Sequence, residues 1–197
     1  MNNLMIDIET LSQQQNAAIA TIAAAFFDPI SGKVGAKFYA RLDWEEDIKK
    51  GGHFSPNTIK WWLRQSNEAR AEIVTDNNEH TCVALTDFYD FIIKHKPENF
   101  PLYVWAKSPS FDLAIIREAF VRYSISTAVV WKYWDERDVR TVEAIGKMLG
   151  ILPHAKSKPS HHAMNDVHDQ ILAVSSVMAR INSEFDLPPF GYEDEVK

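Results

Sequence analysis

Two acids set inside an apolar run constrain this chain more than any other feature: Leu4-Met5-Ile6-Asp7-Ile8-Glu9. Apolar residues at 4, 5, 6 and 8 read as a strand buried on both faces. Side chains alternate across a strand, so Asp7 and Glu9 leave the same face within a few ångströms of each other. Carboxylates that close repel unless a cation sits between them. With 27 acids in 197 residues, about four acid-x-acid pairs arise by chance, so the spacing alone says little. The apolar setting is what marks this pair, because two merely solvated acids have little reason to stand in a buried strand.

The rest of the chain supplies elements around that strand. Ala17 to Phe27 is a second strand-like run, separated from the first by the loop Ser12 to Asn16, and Asp28-Pro29-Ile30-Ser31-Gly32 is turn chemistry leading to a third strand over Val34 to Leu42. From Trp44 to His95 the periodicity becomes helical. Ser55 and Pro56 cap and start a helix over Thr58 to Gln65, and a second runs from Thr81 to Lys94. Leu102 to Ala106 predicts a short buried strand, followed by a helix over Phe111 to Tyr123. Val129 to Trp134 predicts a last strand. Val139 to Leu149 reads as a helix closed by Gly150, and His161 to Ile181 as a long final helix. A meander followed by strands alternating with helices predicts an α/β fold with a mixed five-stranded sheet, antiparallel then parallel, flanked by helices. One domain is expected over residues 1–182, with a C-terminal tail, 183–197, that carries the acids Glu193 to Glu195.

Composition narrows the setting. With 46% hydrophobic and 24% charged residues the chain can bury the core of one globular domain. A single cysteine, Cys82, excludes a disulfide framework and a thiolate zinc site, which leads to the expectation of a cytoplasmic protein. No apolar run approaches the roughly 20 residues of a membrane helix, so no membrane partner is expected. The net charge of −6 has the wrong sign for holding nucleic acid through a basic surface. Carboxylates gathered around divalent cations would offset that repulsion where it matters.

Two further acids fit such a gathering. Asp112 follows the strand ending at Ala106 and opens a helix, a place the helix dipole would favour without any chemistry. Asp166 lies in a helix whose other positions, Val167, Ile171, Leu172 and Val174, are largely apolar. Carboxylates at the ends of separate elements, without cysteines, describe an oxygen-rich site for hard cations such as Mg2+ or Mn2+. Two such ions about 3.5–4 Å apart serve in-line displacement at a phosphodiester.

Asp7-Ile8-Glu9-Thr10, Phe111-Asp112 and His161-x-Ala163-x-x-Asp166 together resemble, in order and spacing, the three motifs of the DEDDh exonucleases. The stretch from Asp43 to Arg70, with Ser55-Pro56-x-Thr58-x-x-Trp61-Trp62-x-x-Gln65, resembles a phage and bacterial branch of that superfamily. The resemblance covers roughly residues 3 to 175. It implies the ribonuclease H-like architecture that the order of elements already suits, and 3′-5′ exonuclease activity yielding nucleoside 5′-monophosphates. It further implies Asp7, Glu9, Asp112 and Asp166 as ligands of two divalent cations, His161 as general base, and Thr10 and Leu11 as contacts to the terminal nucleotide. The implied partner is single-stranded nucleic acid or a 3′ overhang, RNA or DNA, and a homo-oligomer is compatible with the sequence. A non-catalytic nucleic-acid or nucleotide-binding module is the competing reading, one that has no use for a base beside four acids.

Helical spacing alone favours His162, four residues before Asp166, as the base. The resemblance favours His161, provided it precedes the helix. Histidine ordinarily titrates near ~6.5, which suits either for proton transfer at neutral pH. His154, His168 and Asp169 read as ordinary loop and helix-face residues. Ser108 stands where many relatives carry asparagine, and Asn165 where an acid is common. Trp61 and Trp62 offer faces for base stacking; adjacent on a short helix, one is expected in the core and the other at the surface. Trp62 and Phe111 complete the expected substrate contacts, and Trp105 and Phe111 flank Asp112 to position it. Lys156 and Lys158 could reach a phosphate or belong to a solvated loop.

Overall fold

The computed structural model describes residues 1–74, 78–126, 130–151, 157 and 161–185. Five strands form one sheet in the order β3-β2-β1-β4-β5. β1 (Asn3–Thr10), β2 (Ile19–Phe27) and β3 (Val34–Arg41) make the antiparallel meander, and β4 (Tyr103–Ala106) and β5 (Glu136–Asp138) add in parallel. The acid-bearing strand is therefore central, paired on both edges, and covered on both faces.

Alternation along β1 sorts its side chains. Leu4, Ile6 and Ile8 enter one core with Leu85, Phe88 and Ile92 of α4 (Thr81–His95) and Leu113, Ile116 and Phe120 of α5 (Asp112–Arg122). Met5 points the other way, into a second core with Ala23, Ala25, Phe27, Trp105 and Val167, Ile171 and Val174 of the last helix. Asp7 and Glu9 share the parity of Met5 and so fall on that helix's side. Their cross-strand partners are Ala23 and Thr21, small residues that leave room above the sheet.

Three short helices, α1 (Trp44–Lys49), α2 (Pro56–Trp62) and α3 (Asn67–Ala71), follow the meander, with Ser55 and Pro56 at the start of α2 as expected. α6 (Val139–Met148) ends at Gly150, whose φ of +71° closes the helix as the sequence suggests. The last helix, α7 (Ala163–Phe185), packs on the sheet and on α6. Gly146 makes that second contact possible, since a Cβ there would stand 2.6 Å from Val177 Cγ2. No described helix is long and apolar enough to cross a membrane.

One expectation is corrected. The last strand is not the apolar stretch 129–134, of which residue 129 lies outside the described residues. It is Glu136–Asp138, which no alternation announces. Tyr133 and Trp134, at the end of that stretch, stand exposed on a 3-10 turn against each other. β5 needs only three backbone pairings at the sheet's edge, and its side chains serve polar contacts rather than core: Glu136 pairs with Arg117, Arg137 lies over the Tyr103 ring and Asp138 caps α6. Lys156, Lys158, His154 and Glu193 to Glu195 lie outside the described residues.

A candidate metal centre at the ends of the central strands

The carboxylates converge at the C-terminal end of β1. Asp112 opens α5 on the far side of the sheet, and its Oδ1 accepts the backbone N–H of Ile8 at 3.3 Å, which ties it to the strand between Asp7 and Glu9. Asp166, in the first turn of α7, comes from the other side; one oxygen of Asp166, one of Glu9 and a ring nitrogen of His161 lie within 4.8 Å of one another. Four acids from three elements thus share one end of the sheet, where the strands of open α/β sheets present their ligand sites.

Their electrostatics are those of a site lacking positive charge. Burial first, then the carboxylates of Asp112, Glu9 and Asp166, push Asp7 well above the usual range. Burial, with Asp166, Asp112 and Glu72 adding, raises Glu9 to about 8. Burial raises Asp112 to about 7, although the N–H of Ile8, its own N–H and nearby Arg140 all pull it down. Among the described residues no Lys or Arg lies within 4 Å of the carboxylates of Asp7, Glu9 or Asp112. Beside them Thr21 Oγ1 and Gln170 Oε1 are buried without a hydrogen-bond partner among the described residues. An all-oxygen donor set under this repulsion fits hard divalent cations.

His161 precedes α7, with a φ of +63° that is uncommon outside glycine, and its ring meets Trp61 and Trp62 edge-on at 4.8 and 6.3 Å. The strained turn sets His161 toward Glu9 and Asp166. His162 goes elsewhere. Its ring stacks on Tyr39 at 5.6 Å, its Nε2 lies 3.6 Å from Glu72, and its carbonyl accepts the N–H groups of Asn165 and Asp166.

A cleft of about 640 Å3 opens beside Glu9, between the β1–β2 loop and α2, and is lined by Thr10, His53, Asn57, Trp61, Trp62 and Phe111 among others. Trp62 contributes little surface: it is 2% exposed and its Nε1 donates to the Thr10 carbonyl at 3.0 Å, whereas Trp61 is 41% exposed. Leu11 is not on the cleft wall. Its side chain packs with Trp62, Ala18 and Ala20 in a small cluster below it. Trp105 is core, and its Nε1 donates to Asn3.

Two features escaped the sequence. Gln170 donates to Asp7 Oδ1 at 2.7 Å; its spacing of four from Asp166 placed it on the same helix face, a signal that was there to find. Buried Glu72, held by Arg41 at 2.8 Å and by the Tyr39 hydroxyl, adds negative charge near Glu9. Nothing local predicts it, because the contact spans three separate elements. Ser108, the departure from the asparagine pattern, accepts a hydrogen bond from Arg140 Nε at 3.2 Å.

The profile of the 3′-5′ exoribonuclease Rv2179c-like domain matches residues 2–178. A protein of Enterobacteria phage T4 named exodeoxyribonuclease is 30% identical over 172 residues, 74% of this chain and 72% of that protein. Among solved structures, the zinc-bound complex of E. coli Exonuclease I with single-stranded DNA superposes with a TM-score of 0.60 at 16% identity, over 93% of this chain and 42% of that one. Cell-death related nuclease 4 does so with 0.56 at 14% identity, over 93% and 64%. This chain therefore spans less than half of Exonuclease I, and the two structures share its ribonuclease H-like fold.

Proposed function

The chain belongs to the family of 3′-5′ exoribonuclease Rv2179c-like domains, and from that premise we propose that it removes nucleotides from the 3′ end of single-stranded nucleic acid or a 3′ overhang, releasing nucleoside 5′-monophosphates. The observation that carries this reading is the gathering of Asp7, Glu9, Asp112 and Asp166 at one end of the sheet, next to a cleft large enough for a nucleotide. Asp7, Glu9, Asp112 and Asp166 would hold two divalent cations, Mg2+ or Mn2+. When bound, these supply the positive charge that activates water and stabilises the leaving oxygen in an in-line displacement.

The chain's own groups divide the remaining work. His161, within reach of Glu9 and Asp166, takes a proton from the attacking water. The water oxygen bonds to phosphorus as the bond to the 3′ oxygen of the preceding nucleotide breaks; that oxygen takes up a proton from solvent, so a 5′-monophosphate leaves and the strand keeps a new 3′-hydroxyl. Thr10 and Phe111 bound the cleft for the terminal nucleotide, and exposed Trp61 offers a face on which its base can stack irrespective of sequence. Gln170 holds one oxygen of Asp7 and leaves the other for a ligand.

The T4 relative is named for DNA and the family for RNA. Matched end-labelled RNA and DNA strands, incubated with Mg2+ or Mn2+, test the reading and separate the two. Metal-dependent shortening from the 3′ end is expected, abolished in Asp7→Ala. Strands left intact by the native protein under every metal would leave a binding module in its place.

A further inference from the structure

The chain is acidic overall, so a polyanionic strand must be gripped by particular cations rather than by a general field. Most described arginines are already spent on the protein itself. Arg41 serves Glu72, Arg117 serves Glu136, Arg122 serves Asp47 and Glu118, and Arg180 serves Glu184. Arg137 and Arg70 donate to backbone carbonyls. Arg140 differs in both place and partner. It sits exposed in the first turn of α6, directly after β5, and its charge reaches Asp112. Its Nε donates to Ser108 Oγ, and Ser108 in turn accepts the N–H of Asp112 through its carbonyl at 3.1 Å. Among the described residues neither terminal nitrogen of Arg140 has an acceptor.

The sheet order gives this cation a side. The cleft for a terminal nucleotide lies toward α2 and the β1–β2 loop, whereas Arg140 follows β5, across β4 from the carboxylates at the end of β1. A strand whose last nucleotide fills the cleft and whose scissile phosphate meets the carboxylates continues toward β5. We propose that Arg140, braced by Ser108, binds a backbone phosphate of the retained strand, on the 5′ side of the scissile bond. This rests on the nuclease reading for the position of the scissile phosphate. A guanidinium fixed through Nε keeps two parallel N–H donors for one phosphate, the geometry in which arginine binds that group best. Such a contact positions the strand and carries no sequence information.

Binding can be measured apart from turnover with an oligonucleotide whose 3′-terminal linkages are phosphorothioates, which keep the charges and slow cleavage, in Mg2+. Arg140→Ala is expected to weaken binding about tenfold and to flatten the slope of log K against log salt by about 0.7. Arg140→Lys is expected to restore the slope and part of the affinity. Affinity for a nucleoside 5′-monophosphate, which occupies only the terminal pocket, is expected to change less than twofold in Arg140→Ala, as is affinity for Mn2+. Unchanged strand affinity and slope would overturn the assignment. So would an equal loss for the monophosphate, which puts Arg140 on the scissile phosphate, or an equal loss of Mn2+ affinity, which makes it a brace for Asp112. The native protein's failure to shorten an unmodified strand would remove the exonuclease reading alone, since the arginine-dependent binding is read independently of cleavage.

Discussion

Two buried acidic sites in this molecule answer their charge in opposite ways. Asp47 is fully buried, and its carboxylate accepts from Arg122 Nε at 3.0 Å, from Arg122 Nη2 at 3.1 Å and from the N–H of Ile19 at 3.2 Å. Arg122, 6% exposed, also holds Glu118 and reaches the Ala17 carbonyl. That ion pair ties α1 to α5 and to the start of β2. At the same end of the sheet, where Ile19 stands opposite Thr10, Asp7, Glu9 and Asp112 face one another with no Lys or Arg partner in contact among the described residues. A buried charge supplied with its counter-ion is architecture. One left without it is destabilising in the folded chain, and a group of such charges marks a candidate place for something from outside to complete it.

The contrast can be broken at its strongest point first. Replacing Arg122 by Met leaves Asp47 buried and unpaired, and about 3–5 kcal/mol of stability is expected to go, read as a fall in Tm and denaturation midpoint. The double change Asp47→Asn, Arg122→Met is expected to recover part of it. Removing His161 should do the reverse: His161→Ala is expected to lower kcat by ~10²–10⁴-fold with Tm nearly unchanged, while His162→Ala, whose ring is engaged with Tyr39 and Glu72, costs far less activity. A larger loss from His162→Ala than from His161→Ala would return the choice to where helical spacing left it.

The next test uses pH. Burial, then the neighbouring carboxylates, holds Glu9 at about 8 against an ordinary 4.5, and burial holds Asp112 at about 7 against 3.8. Raised folded-state values mean that the native chain binds more protons than the unfolded one across this window. The contribution of these acids is therefore complete below about pH 4 and is lost as pH rises through 7 and 8. The metal-free protein is expected to show a Tm that falls between about pH 5 and pH 8.5, a trend that Mn2+ cancels and that Asp7→Asn reduces. A flat metal-free profile would mean that solvent already screens the cluster. The smallest effect belongs to Gln170: losing a hydrogen bond to a charged group, Gln170→Ala is expected to lower kcat about tenfold with little change in KM.

What the sequence could and could not show follows from the same contrast. Asp7 and Glu9 were legible because a period of two put both on one face of a strand too apolar for surface acids. His161 was reachable only through the spacing of a motif, because the turn that brings it to Glu9 depends on a positive φ that no local residue preference announces. Trp61 and Trp62 divided into surface and core as adjacency requires, but which was which depended on the indole of Trp62 finding the Thr10 carbonyl. β5 stayed hidden because three polar residues at a sheet edge are set by pairing with β4 rather than by any pattern of their own. The Asp47–Arg122 pair, 75 residues apart, was equally silent. Contacts between distant elements were the part composition and periodicity could not supply.

The central claim is that the acid cluster is completed by cations from outside the chain, and a calorimetric titration with Mn2+ reads it directly. Two ions bound per chain are expected, with binding lost or halved in Asp7→Asn and unaffected in Asp47→Asn. No binding by the native protein, or binding indifferent to Asp7, would contradict it.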